Sequence, residues 1–453
     1  MKKVLYCAII LGLLAAGAIL LAGVKPAPAY QGKPIGSWIE QLGSDDYQTR
    51  ERAVEAIRMI GPEVSPFLIR SLRSRNVLRG FTLSLEHGLP FLHIKVLPTA
   101  TLLRERVAEQ LGWMALHDET ALRSLISSLG EKDPNVLAEI QRALRRMGPA
   151  SVLSLVTALS RRDARIREGA VEVLIDLGAE AQAARPALVL ALNDRDDGVR
   201  CGAARALGLL GPGDVELSRA LVSVLDDKIP KVRLAGVESL GRLGAESRSA
   251  IPALKQRLGD AAAGVRVGAA RSLWQIEREP QQVVPVLIHA LNDPIAGWQA
   301  VFVLGEIGPK AEQAAPALIQ KLKQERVSRP LRSPPSAALA LGRIGPASVP
   351  PLIETLRDEK ASVRTGAAIA LGFIGPAAKS AVPALASLLR DKDLEVRQAS
   401  ALSLANIAPQ TNELLPMLIE LTHDEDIFIS GAALAALRKN HPELAYKMGL
   451  TMH

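Results

Sequence analysis

Cysteine is nearly absent from this chain of 453 residues; the two present are Cys7 and Cys201. No disulfide framework, cysteine metal cluster or Cys-x-x-Cys-His haem site can be built from them, so packing alone must hold the fold. Aromatic residues are scarce as well, at 3% of the total against 48% hydrophobic. Broad cores usually need Phe and Trp to fill them. An apolar mass of Ala, Leu, Val and Ile suits thin, closely stacked helices instead. The seven histidines (87, 93, 117, 289, 423, 441 and 453) form no HExxH and no other close pair on a helix, and no His-Glu dipeptide occurs. There is no GxSxG nucleophile elbow. The stretch "GPAAKS" (375–380) lacks the glycine that a phosphate-binding loop places before its lysine. No catalytic residue, metal ligand or cofactor is expected. Strong charge of one sign is also missing. The formal net charge is +8, and Lys2, Lys3 and Lys25 supply three of it with no acid among residues 1–29, which leaves +5 for the rest. That is a solvated surface of mixed sign, and a nucleic-acid partner is not expected.

The first 29 residues read as a targeting segment. "MKK" is basic, residues 4–24 are an uncharged apolar run, and Ala27 and Ala29 stand in an A-x-A pattern suited to cleavage after Ala29. The run is long for a signal-peptide core and long enough for a span. It is therefore either a membrane anchor and tether or a cleaved signal. Both place residues 30–453 outside the cytoplasm, in the periplasm or cell envelope, because Lys2 and Lys3 hold the N-terminus inside.

Beyond that segment one phrase recurs twelve times. Its clearest copies are "VRCGAARALGLLG" (199–211), "VRLAGVESLGRLG" (232–244), "VRVGAARSLWQIE" (265–277), "VRTGAAIALGFIG" (363–375) and "VRQASALSLANIA" (396–408). Successive copies end 30 to 33 residues apart, except for two gaps of 54 and 37. A fixed period of this length marks a stacked-repeat architecture. Each copy predicts a helix; in 199–211 the apolar positions Val199, Ala203, Ala206, Leu207 and Leu210 fall at helical spacing. A glycine, often followed by proline, then ends it. A second helix opens with proline in its first turn, as in "IPALKQRL" (251–258), "APALIQKL" (315–322) and "VPALASLL" (382–389). Two helices with one apolar face each bury both faces only by stacking on their neighbours. "PIGSWIEQL" (34–42) and "PELAYKMG" (442–449) read as lone helices closing the two ends.

The Asp-rich loop, the Val-Arg entry, the Ala-Ala-x-x-Leu-Gly helix and the Gly-Pro turn resemble HEAT repeats of the short bacterial, bilin-lyase-type class, over about residues 33 to 445. The resemblance implies an all-α solenoid of about twelve stacked antiparallel helix pairs whose second helices line a concave face that binds another macromolecule. Exposed positions expected on that face are Arg70, Gln256, His289, Gln320, Glu354 and Glu420. The recurring Arg200, Arg233, Arg266, Arg364 and Arg397 each follow a loop acid such as Asp197, Asp227, Asp260, Asp358 or Asp393. They are expected to tie repeats together in a ladder of Arg–Asp contacts rather than to bind a ligand.

Both long gaps fall between a second helix and the next first helix. The later insertion, 323–336, is basic and rich in proline and carries Arg326, Arg329 and Arg332. The earlier one, within 75–101, alternates apolar and polar residues on both sides of Glu86–Pro90. It predicts a β-hairpin bearing Phe81, His87, Phe91 and His93. Such a hairpin is marginal alone. Its apolar face lies on the solenoid, on a partner or, in an anchored chain, near the membrane. These seven residues are the candidate partner-binding positions. The sequence thus predicts an exported, monomeric scaffold or adaptor for another protein, without catalytic activity. Its rival is a lyase- or hydroxylase-like enzyme of the same repeat class acting on a bound protein or chromophore.

Overall fold

The computed structural model describes residues 28–73, 100–116, 118–211, 214–325, 333–407, 415–440 and 442–447. The chain divides into two compact units, Met1–Gly211 and Pro212–His453. Each is an α-solenoid of helix pairs. In the first unit the first helices of the pairs are Tyr47–Ile60, Ala100–Met114, Pro134–Arg146, Ala164–Leu177 and Asp197–Leu207. Seven more lie in the second unit, from Pro230–Leu243 to Ile427–Asn440. Among the described residues there are thus twelve, one for each copy of the phrase.

The expected core is the observed one. Val199, Ala203, Ala206, Leu207 and Leu210 are all fully buried. Turn glycines carry the positive φ that ends most first helices, for example 77° at Gly61 and 70° at Gly375, where a side chain would be strained. A short 3-10 helical turn follows, Gly375–Ala381 in the "GPAAKS" copy, and leads into the second helix with its proline in the first turn. The stretch Ala361–Arg390 is long and apolar enough to cross a membrane, yet half of it is buried and Gly375 breaks it into a helix pair. Its hydrophobicity is that of a solenoid core. The two end helices are present as Ile35–Leu42 and Pro442–Lys447.

Small residues set how closely first helices stack. A Cβ on Gly112 would lie 2.6 Å from the Ala143 Cβ, and one on Gly372 would lie 2.6 Å from the Ser403 Oγ. Where a serine faces such a glycine it is buried and donates across the helix junction. The Ser272 Oγ donates to the Val237 carbonyl at 2.9 Å and the Ser403 Oγ to the Ala368 carbonyl at 2.7 Å.

The β-hairpin expected within 75–101 lies outside the described residues. The strands that are described are elsewhere: Ala29–Tyr30 pairs antiparallel with Lys33–Pro34. Gln31 and Gly32 make the turn, with φ of 49° and 73°. This small ribbon was not foreseen, because it sits where the sequence suggests the edge of a targeting segment. The Trp38 indole donates to the Tyr30 carbonyl at 3.2 Å and holds it against the first end helix.

Candidate interaction face

The loops between pairs carry the frame on which any site must stand. The arginine that recurs at the start of the first helices donates from Nη1 to a carbonyl six residues earlier: Arg167 to Arg161, Arg200 to Asp194, Arg233 to Asp227, Arg266 to Asp260, Arg364 to Asp358 and Arg397 to Asp391, at 2.7–2.9 Å. Arg167, Arg233 and Arg364 also grip a carboxylate 27 residues later through two bonds, to Asp194, Asp260 and Asp391, at 2.8–2.9 Å. The Arg104–Glu131 pair has the same spacing. The ladder is therefore real, with one refinement. Before Arg233, Arg266 and Arg364 the expected acid supplies its backbone carbonyl, whereas Arg200 and Arg397 use Asp194 and Asp391 rather than Asp197 and Asp393; where a carboxylate grips Arg233 or Arg364, it stands in the next loop. The sequence showed the nearer acid and hid the farther one.

Each rung aspartate has a second task. Asp194 Oδ1 accepts the Asp196 N–H, Asp260 the Ala262 N–H and Asp391 the Asp393 N–H, all at 2.9 Å. Burial pushes the Asp260 carboxyl up, but the Arg233 hydrogen bonds, the Ala262 N–H and the charges of Arg233 and Arg257 outweigh it and hold the acid below its ordinary value of 3.8. Asp194 and Asp391 are lowered by the same balance of burial against Arg167 or Arg364 and a backbone N–H. Bonding to their aspartates raises Arg167 and Arg233 in turn. These arginines are occupied structurally, as expected.

The second helices present a different surface. Arg70, Gln256, His289, Gln320, Glu354 and Glu420 are all exposed, as the sequence predicts. One turn earlier the helices show their first-turn prolines: Pro186 in the first unit, and Pro252, Pro285, Pro316, Pro350, Pro383 and Pro416 in the second, are exposed. Exposed leucines join this face in the first unit. Leu153 and Leu190 are 77% and 76% accessible, a large apolar exposure for side chains on regular helices. They escaped the sequence reading because leucine at helical spacing reads as core. The available signal was their departure from other copies: Leu190 stands where Gln256, His289 and Gln320 stand, and Leu153 where Pro186 and Pro252 stand. On the first helices of the second unit Trp298, Phe302 and Phe373 are exposed too.

Phe81, His87, Phe91, His93, Arg326, Arg329 and Arg332 all lie outside the described residues. The flanks of their insertions are described. The first runs from helix Ser65–Arg73 to helix Ala100–Met114, and Arg104 spans its base by donating to the Leu72 carbonyl at 2.7 Å. The second runs from helix Ala315–Gln324 to helix Ser336–Ile344, and Glu325 accepts from the Ser336 hydroxyl and from the Ala337 N–H. Both insertions thus leave from the expected edge, between a second helix and the next first helix. Among the described residues no group of three or more His, Cys, Asp or Glu is placed to hold a metal ion. His289 stands exposed on a helix, and His423 Nδ1, in the turn after helix Leu415–Leu421, sits beside Thr422 Oγ1 and the Ile419 carbonyl.

The family model described as HEAT repeats matches residues 185–274 and 376–438, and that described as PBS lyase HEAT-like repeat matches 336–358. No curated protein matches the chain. Among solved structures, Kap95 in its complex with Nup1 is similar at a TM-score of 0.53 and 14% identity, over 92% of this chain and 56% of that one. Importin β is similar at 0.50 and 15% identity, over 91% and 56%. The CpcE–CpcF phycocyanin lyase complex of a Nostoc species is similar at 0.34 and 23% identity, over 55% and 93%. The chain thus spans little more than half the length of the importin β and Kap95 chains.

Proposed function

We propose, for a chain that belongs to the HEAT-repeat proteins, that it is a non-catalytic scaffold or adaptor holding another protein along its second helices and loop edge. The observation that carries this reading is the contrast between frame and face. The buried frame repeats the same arginine, carbonyl and aspartate at several junctions. The exposed column one turn past each second-helix proline changes chemistry at nearly every step: Leu190 in the first unit, then Gln256, His289, Gln320, Glu354, Ser387 and Glu420 in the second. Stability needs the first pattern. A partner with its own sequence of chemistries is what the second pattern suits. Kap95, which shares this fold, is seen with a protein partner.

In the finer reading the chain is exported through residues 1–29. The apolar run 4–24 then either stays as a membrane tether or is removed after Ala29, and the solenoid works as a monomer. Phe81, His87, Phe91 and His93 on one insertion and Arg326, Arg329 and Arg332 on the other add contacts at the loop edge. Crosslinking and pull-down from native envelopes test this, comparing the intact chain with one lacking residues 80–99. The expected result is a reproducible partner that the deletion weakens while helicity and melting stay unchanged. Fractionation that leaves the chain in the cytoplasm would remove the exported part of the reading.

One observation favours a lyase-type enzyme instead, the PBS lyase HEAT-like match at 336–358. Covalent attachment of a bilin to an acceptor protein, catalysed by this chain, would establish it. An enzyme also requires ionisable groups converging in a cleft, which His289 on its helix and His423 in a turn of another pair do not provide.

A further inference from the structure

One junction in the first unit breaks the frame. Leu137 stands where Arg104 and Arg167 stand in the neighbouring copies, and Arg161 stands six residues before Arg167, where Asp194 stands before Arg200. Both ends of a rung are thus replaced, and the carboxylate end has become a cation. At this junction the surface opens into a groove of about 570 Å³ across helices Pro134–Arg146, Ala164–Leu177 and Asp197–Leu207. Its apolar part is the half-buried Leu137 over the buried Leu129 and Val171, and Lys132 and Arg165 stand at its margin.

The charges there are unevenly satisfied. Of the acids lining the groove, Glu131 is taken by Arg104, Glu172 faces Arg205 at 3.7 Å and Glu168 is partnered as well. Asp163 caps its helix by accepting the Arg165 N–H. Lys132, Arg161, Arg162 and Arg165 are all exposed, and among the described residues none of their side chains meets a carboxylate. The Arg195 guanidinium joins them by donating to the Arg162 carbonyl at 2.7 Å.

We propose that this groove binds an acidic, extended peptide segment of a partner protein, with one aliphatic side chain seated on the half-buried Leu137. The basic margin complements the acidic side chains, and the apolar floor calls for an anchor that a free anion lacks. A nucleic acid fits poorly. The exposed cations Lys132, Arg161, Arg162 and Arg165 are few, and a phosphate backbone has no aliphatic side chain to seat on Leu137.

This inference rests on the scaffold reading in taking a protein as its ligand, but the two fail separately. Deleting residues 80–99 tests the insertion and removes none of the residues lining the groove. Selection of a random dodecapeptide phage library on the full chain tests the groove. Enriched sequences are expected to be acidic with an aliphatic residue, and a fluorescein-labelled copy of the best should bind more weakly as salt rises. Lys132→Glu with Arg165→Glu should weaken it roughly tenfold or more, whereas Arg248→Glu in the second unit should not. Should the double reversal lower helicity, Lys132→Gln with Arg165→Gln removes the charge more gently. No enrichment, enrichment of basic or neutral sequences, or unchanged binding in the folded double variant would each overturn the proposal.

Discussion

At the scale of single residues, the rung aspartates are tightly committed side chains. Asp260 accepts two bonds from Arg233 and one from a backbone N–H while its side chain is only 3% exposed. Removing one partner of a buried pair leaves the other charge uncompensated. Asp260→Asn keeps the shape but loses the charge, and is expected to cost about 2–3 kcal/mol in urea unfolding at neutral pH. The pH dependence follows from the direction of the shift. An acid held below 3.8 in the folded state stabilises the fold above that value and loses its contribution as pH falls through its lower folded value. The native chain should therefore lose melting temperature below about pH 4. The Asn variant should start lower and show a shallower acid limb. An acid limb as steep in the variant as in the native chain would show that other carboxylates control it. These aspartates were legible as loop acids. Their partners were not, because a pairing 27 residues away depends on how the next pair stacks.

At the scale of helices, spacing is set by what is missing from the side chains. A Cβ at position 372 would sit 2.6 Å from the Ser403 Oγ and 3.1 Å from its Cα, so the clash involves the neighbouring backbone as well as a movable hydroxyl. Gly372→Ala gains helix propensity of about 1 kcal/mol, yet overpacking of this kind costs about 1–3 kcal/mol. A net loss of up to about 2 kcal/mol is expected in equilibrium unfolding. Adding Ser403→Ala should recover part of it by removing the hydroxyl, but not all, since the backbone of residue 403 still crowds the added methyl. A stabilised Gly372→Ala variant would mean that the two helices can separate at little cost. The helices themselves, their glycine stops and their proline starts were readable from period and punctuation. The ribbon at Ala29–Pro34 was not, because two-residue strands carry no periodicity.

For the molecule as a whole, repeats interact with their neighbours, so damage should stay local. Asp391→Asn breaks the rung between helices Ala361–Ile374 and Leu394–Ile407. Hydrogen exchange is expected to quicken in those two helices while protection in Pro134–Arg146 and Ala164–Leu177 stays unchanged. Uniform loss of protection across the chain would instead indicate a single cooperative unit.

Composition and period by themselves determined a solenoid of helix pairs with an Ala- and Leu-rich core, since only stacking buries two narrow apolar faces per pair and the pattern of burial is local in sequence. They also indicated which second-helix positions face solvent. Tertiary structure alone decided which carboxylate each arginine grips, where a lost rung opens a groove, and that Leu153 and Leu190 face outward. Each of these depends on which side chains from different repeats meet, and a one-dimensional pattern records the repeats without recording how they are set against one another.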